Sequence, residues 1–176
     1  SSCSLALEHL FGRYLSASTG HNGKIEMPSL FNPTQNYEHL LCECFATETF
    51  RYVNSDDDTR IAKIQALQDD EMFRRFTYVC FNASEGHLNC GKCYGCFKTM
   101  IPLDMLGKLK YFDKVFDVDE YYANRQTVFE DIINISKDPV MHSARETINQ
   151  LLDMNKKNPS EAGDEFAKIH EKLTKC

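Results

Sequence analysis

Cys80, followed by Asn89-Cys90-Gly91-Lys92-Cys93-Tyr94-Gly95-Cys96, is the stretch on which the reading of this chain turns. Four thiolates suit a tetrahedral zinc ion, and cysteines separated by two residues let a tight backbone knuckle present both sulfurs to one metal. Gly91 and Gly95 fall where such turns need freedom from a side chain. Three alternatives stay open on the residues alone. An iron-sulfur cluster also takes four cysteines, the four could be unrelated buried thiols, and His87 could replace Cys80 as a ligand. Four thiolates leave no open coordination position, and the histidines form no His-x-Glu or His-Glu-x-x-His pattern. The expected zinc is therefore structural and not catalytic.

Outward from this cluster, the remaining cysteines bear on the compartment. Eight cysteines in 176 residues would suggest a disulfide framework in a small secreted chain, but half of them lie at metal-ligand spacing. A reducing, cytoplasmic setting is expected. The length allows one globular domain, or one with an appendage, and burial of about 70% of the unfolded surface makes staples unnecessary for size. With 20 Lys and Arg against 26 Asp and Glu, the net charge is -6. That balance argues against a duplex-DNA partner or an anionic membrane surface, both of which need a basic stripe. No apolar run reaches 18 residues, and no basic segment followed by an apolar one opens the chain. The chain begins Ser1-Ser2-Cys3, with no Met, inside what reads as an apolar helix, so a fragment of a longer protein is expected.

Composition divides the chain near Gly107 to Asp113. Seven of the eight glycines and seven of the eight cysteines lie at or before Gly107, and 22 of the 64 residues from 113 to 176 are charged. We read residues 1–112 as a cysteine-bearing α/β domain and 113–176 as a helical extension packed on it. In the first part the patterning predicts a helix at Leu5–Phe11, a strand at Arg13–Ala17, a long loop at Ser18–Pro33 and a helix at Gln35–Ala46. A strand at Thr49–Val53 follows, then a helix opened by the acidic run Asn54–Asp58 and continuing through Leu67. A strand at Phe76–Phe81 and a helix at Cys93–Leu109 complete that part. In the second part a helix is expected over Glu120–Ser136, with Val128, Phe129, Ile132 and Ile133 in register. Asp138-Pro139 and Asn158-Pro159 mark two further starts, the last helix turning Phe166, Ile169 and Leu173 inward.

Two smaller features carry chemistry. Arg60 and Lys63, in the first turns of the helix after the acidic run, could hold a phosphate together with the helix dipole. Their bland reading is pairing with Asp56, Asp57 or nearby carboxylates. Cys42 and Cys44, two apart on a helix, point to different faces and read as partly buried thiols.

The run from Cys80 to Thr99, with Leu103-Asp104-Met105-Leu106-Gly107-Lys108-Leu109 behind it, resembles the C-terminal half of PP-loop ATP pyrophosphatase proteins. These are the adenine nucleotide alpha-hydrolase-like relatives of 7-cyano-7-deazaguanine synthase. Tyr14-Leu15-Ser16-Ala17-Ser18, Leu40-Leu41-Cys42-Glu43 and Thr59-Arg60-Ile61-Ala62-Lys63-Ile64 are similar too, so the resemblance spans roughly residues 5 to 125. It implies an α/β fold, a partial sheet with flanking helices, a structural zinc staple, and an enzyme that adenylates a carboxylate or amide of a small-molecule substrate with ATP. Two departures stand out. The family's Ser-Gly-Gly-x-Asp-Ser pyrophosphate loop has no counterpart in these residues, and Lys98 stands where relatives often carry Arg. The expectation is a C-terminal portion whose partner is a PP-loop segment and whose intact parent binds ATP. The alternative is a zinc-stabilised interaction module without catalysis.

Overall fold

Residues Arg13–Ala17 and Arg51–Ser55 form strands β1 and β2, which pair in parallel with Tyr14 opposite Tyr52 and Leu15 opposite Val53. The computed structural model describes residues 10–17, 44, 46–55, 58–80, 86–139 and 141–175. A parallel pair cannot be closed by a tight turn. The Tyr14 and Tyr52 rings meet at 5.2 Å, and Phe50, fully buried, has Phe11 at 6.0 Å. The first expected strand is found at its expected bounds, and the second lies two residues further on. The expected helices at Leu5–Phe11 and Gln35–Ala46 and the loop at 18–33 fall outside the described residues, apart from Leu10, Phe11, Cys44 and Ala46.

The chain divides into two compact units, residues 1–60 and 61–176. The described residues are mostly helical, with the β1–β2 pair as their sheet. Helix α1, Arg60–Leu67, buries Ile61 and Ile64 one turn apart. Helix α2, Glu71–Phe76, is capped by Asp70, whose carboxylate accepts the Phe73 N–H at 2.7 Å.

At the centre of the second unit is α3, Tyr94–Met105, buried on nearly every side from Cys96 to Met105. Such a helix lacks a polar face and must be enclosed by others. It ends at Met105, short of the expected Leu109. Gly107, at φ +66, places its own N–H on the Asp104 carbonyl and the Lys108 N–H on the Leu103 carbonyl, both at 2.8 Å. This left-handed closure satisfies the final carbonyls and stops the helix. A 3-10 turn at Leu109–Phe112 follows.

The expected helix over Glu120–Ser136 is two helices, α4 at Val118–Ala123 and α5 at Arg125–Ser136. Asn124 interrupts them: its amide donates to the Glu120 carbonyl at 2.9 Å, an alternative to helical pairing that short polar side chains offer. Helix α6, His142–Lys157, begins four residues after Asp138, whose carbonyl closes a turn on the Met141 N–H. Helix α7, Glu161–Thr174, is capped by Ser160 and not by Asn158. Helices α5, α6 and α7 pack on α3, and Phe129 meets Phe166 edge-on at 5.3 Å. Val128, Phe129, Ile132, Ile133 and Phe166 are buried as their spacing predicts. The segment after residue 113 thus shares one core with α3.

Candidate metal centre

The cysteines converge through three local devices. Gly91, at φ +69, turns the chain between Cys90 and Cys93. Cys93 then takes the N-cap position of α3, in extended conformation, and Cys96 falls in its first turn. That end of a helix carries the positive pole of the backbone dipoles, which favours thiolate over thiol. Cys80 arrives on an irregular segment ten residues upstream of Cys90, where Phe76–Phe81 was expected to be a strand. Phe76 instead closes α2, and Thr77 to Cys80 have no strand neighbour among the described residues.

Asn89 occupies the place of that neighbour. Its side-chain oxygen accepts the Val79 N–H at 2.8 Å, and its amide donates to the Thr77 carbonyl at 2.9 Å. A carbonyl at residue i and an N–H at i+2 are what one residue of an adjacent parallel strand would meet. One carboxamide does the same here. Asn89 also donates from its backbone and its side chain to the Val115 carbonyl, at 3.2 and 3.0 Å.

The resulting sulfur separations are 3.2 Å for Cys80–Cys90, 3.6 Å for Cys80–Cys93, 3.5 Å for Cys93–Cys96 and 3.9 Å for Cys90–Cys96. All four sulfurs lie within 4.8 Å of one another. Tetrahedral bonds near 2.3 Å would set sulfurs about 3.8 Å apart, so the donor set and its spacing fit one ion. His87 is not part of the group. Cys80 and Cys96 are buried, and Cys90 and Cys93 half-buried. Burial pushes the Cys96 thiol far up from its ordinary range, with Cys93 adding to the effect. Burial also raises Cys90, against the lowering effect of the Lys92 backbone. A metal must displace these protons, and its charge then supplies what the buried thiolates lack.

Behind the Gly91-Lys92 turn lies a cavity of about 270 Å3. Phe97 and Tyr121 contribute apolar surface, and Asp117, Glu120 and Asp131 set three carboxylates against Lys92. The ammonium of Lys92 is itself 2.8 Å from Glu120. This is the wrong sign for a nucleotide phosphate. Nearby, the buried Asp104 carboxylate accepts the Tyr121 hydroxyl at 3.1 Å and has Arg125 at 3.9 Å, while Arg125 sits closer, at 2.5 Å, to Glu165. Burial raises the Asp104 carboxyl from its ordinary value despite the lowering effects of Tyr121 and Arg125.

The four predicted metal ligands are therefore brought together. Arg60 opens α1 and is exposed, and Lys63 is half-buried one turn later on the same helix. Cys44 is exposed, contrary to the expectation of a partly buried thiol, and Cys42 lies outside the described residues. Sequence reading missed Asn89 as a contributor; its position immediately before Cys90 was the available signal. Among the described residues no helix is long and apolar enough to cross a membrane. No family model matches the chain, and no curated protein or solved structure does.

Proposed function

We propose that Cys80, Cys90, Cys93 and Cys96 hold one zinc ion whose role is structural. The convergence of four sulfurs within 4.8 Å carries this reading. A multi-iron cluster spreads the four thiolates over separate irons, which holds the sulfurs further apart than one shared ion does. Zinc suits four thiolates with no position left for substrate. Metal analysis of the purified protein tests it: one zinc per chain is expected, and visible absorbance from iron or a metal-free folded protein would remove it.

The wider reading rests on the resemblance of the cysteine run and is supported by the parallel β1–β2 pair, a feature of α/β folds with crossover connections. On that reading the chain is the zinc-bearing portion of a PP-loop ATP pyrophosphatase-like, ligase-type enzyme, with an adenine nucleotide alpha-hydrolase-like fold. ATP is bound in the intact parent, where Arg60 and Lys63 contribute charge-assisted contacts to phosphate. Each contact would be worth about 1.5 to 3 kcal/mol, or roughly 10- to 100-fold in rate. The test uses the protein expressed from its whole natural reading frame. AMP release from ATP should fall at least tenfold in Arg60→Ala and Lys63→Ala. Unchanged rates in both would return the two cations to a solvated face, and absence of AMP release would remove the ligase reading.

A second reading, a zinc-stabilised interaction module, is favoured by one observation. Met72 and Phe76 stand four residues apart on one face of α2, 63% and 56% exposed.

A further inference from the structure

We infer that Asn89 is the positioning residue of the metal centre, the group that sets its affinity by holding Cys80 against the knuckle before any ion arrives. The inference rests on the zinc reading above and adds a residue that the ligand pattern does not contain.

Three ligands need no long-range help. Cys90, Cys93 and Cys96 lie within seven residues, and the Gly91 turn and the start of α3 orient them locally. Cys80 is not oriented by a helix or a turn of the knuckle, because Thr77 to Cys80 belong to no helix or strand. A fourth ligand on a loosely held segment binds weakly, because ordering it costs entropy. Asn89 limits that freedom. It is 1% exposed, it grips Thr77 and Val79 on the Cys80 segment, and its own backbone leads directly into Cys90. One side chain thus fixes the distance between the first and second ligands. The two bonds to the Val115 carbonyl anchor the assembly to the chain entering α4. Hydrogen bonds around a metal site that orient its ligands commonly govern affinity by 10- to 100-fold.

The arrangement also has a direction. The bonds of Asn89 to Thr77, Val79 and Val115 run to backbone groups, so they do not depend on whether an ion is present. A buried amide with good partners in a low-dielectric setting keeps them, since breaking them would strand polar groups away from water.

The test is zinc affinity, measured by competition with a chelating chromophore, in the wild type, Asn89→Ala and Asn89→Asp. The Asp variant keeps the shape and the acceptor for Val79 but loses both donated amide bonds, and it serves if the Ala variant does not fold. Ile132→Val, in the core of α5, controls for general loosening. A loss of 10- to 100-fold is expected at Asn89 and none at Ile132, with cobalt-loaded variants keeping the tetrathiolate spectrum of the wild type at saturation. In the zinc-free wild type the Val79 amide should still exchange slowly with solvent. Affinity within twofold of wild type in the folded Asn89 variants overturns the inference, as does an equal loss in Ile132→Val or free exchange at Val79 without metal. A wild type that takes up no zinc is a different result, because it removes the zinc reading itself and this inference with it.

Discussion

Gly95 lies so close to Val79 that a Cβ at position 95 would stand 2.4 Å from the Val79 carbonyl oxygen. The obstacle is backbone on the segment that carries Cys80, so no rotamer change relieves it. Gly95→Ala should push that segment away and separate Cys80 from the other three sulfurs. A fall of at least tenfold in zinc affinity is expected, with the folded helical content retained. An affinity equal to wild type would show that the two segments can part without disturbing the ligands.

Removing the metal should cost stability, because ligands that converge only in the folded state turn binding energy into folding energy. Chelation, or Cys96→Ser, is expected to remove at least about 3 kcal/mol, a fall in Tm of roughly 6 to 12 °C for a chain of this size. His87→Ala should leave Tm and zinc content unchanged. Zinc should also leave as pH falls, since thiol protons compete with it at buried sulfurs whose proton affinity is raised. Scanning calorimetry with and without chelator at several pH values checks both statements.

Asp104 offers a pH dependence of the opposite sense to an ordinary paired carboxylate. Burial makes it hold its proton to higher pH in the folded protein than in the unfolded chain. Between the ordinary value, near 4, and the raised one, the folded state binds more protons, so stability falls as pH rises through that window. Above it the cost of the buried charge is complete. Asp104→Asn keeps an acceptor for Tyr121, and Arg125 retains Glu165. The variant should be more stable than wild type at pH 7, measured by thermal unfolding, and the gain should vanish below about pH 4. A loss of stability at pH 7 would mean that the Arg125 attraction outweighs desolvation.

Gly163 inverts a helix-propensity expectation. In an exposed helix, replacing Gly by Ala gains about 1 kcal/mol. Here a Cβ would fall 2.0 Å from the Asn155 side-chain oxygen, which accepts the Ser160 N–H at 3.0 Å, while the Asn155 amide donates to Asp164 at 2.9 Å. The carboxamide would have to leave both partners for the methyl to fit. Gly163→Ala should therefore destabilise by about 1 to 2 kcal/mol, measured by denaturant unfolding. A stabilised variant would show that Asn155 moves aside without cost.

The sequence alone determined what depends on neighbours along the chain. The two-residue spacing of Cys90, Cys93 and Cys96 with its interposed glycines specified a knuckle of sulfurs able to hold a metal, because the backbone between them is short. Periodicity placed Val128, Phe129, Ile132, Ile133 and Phe166 in the core, since a helix face repeats at fixed intervals. Where helices start and stop was less legible. Asn124 splits α4 from α5 and Gly107 ends α3 through single hydrogen-bonded closures that a hydrophobic pattern does not register. Only the tertiary structure decided the rest: that Cys80 and not His87 completes the group, that Thr77 and Val79 pair with the Asn89 amide, and that Gly163 is required by Asn155. Each of these is a contact between groups the chain brings together only by folding, and its energy depends on an approach distance that spacing along the sequence does not encode.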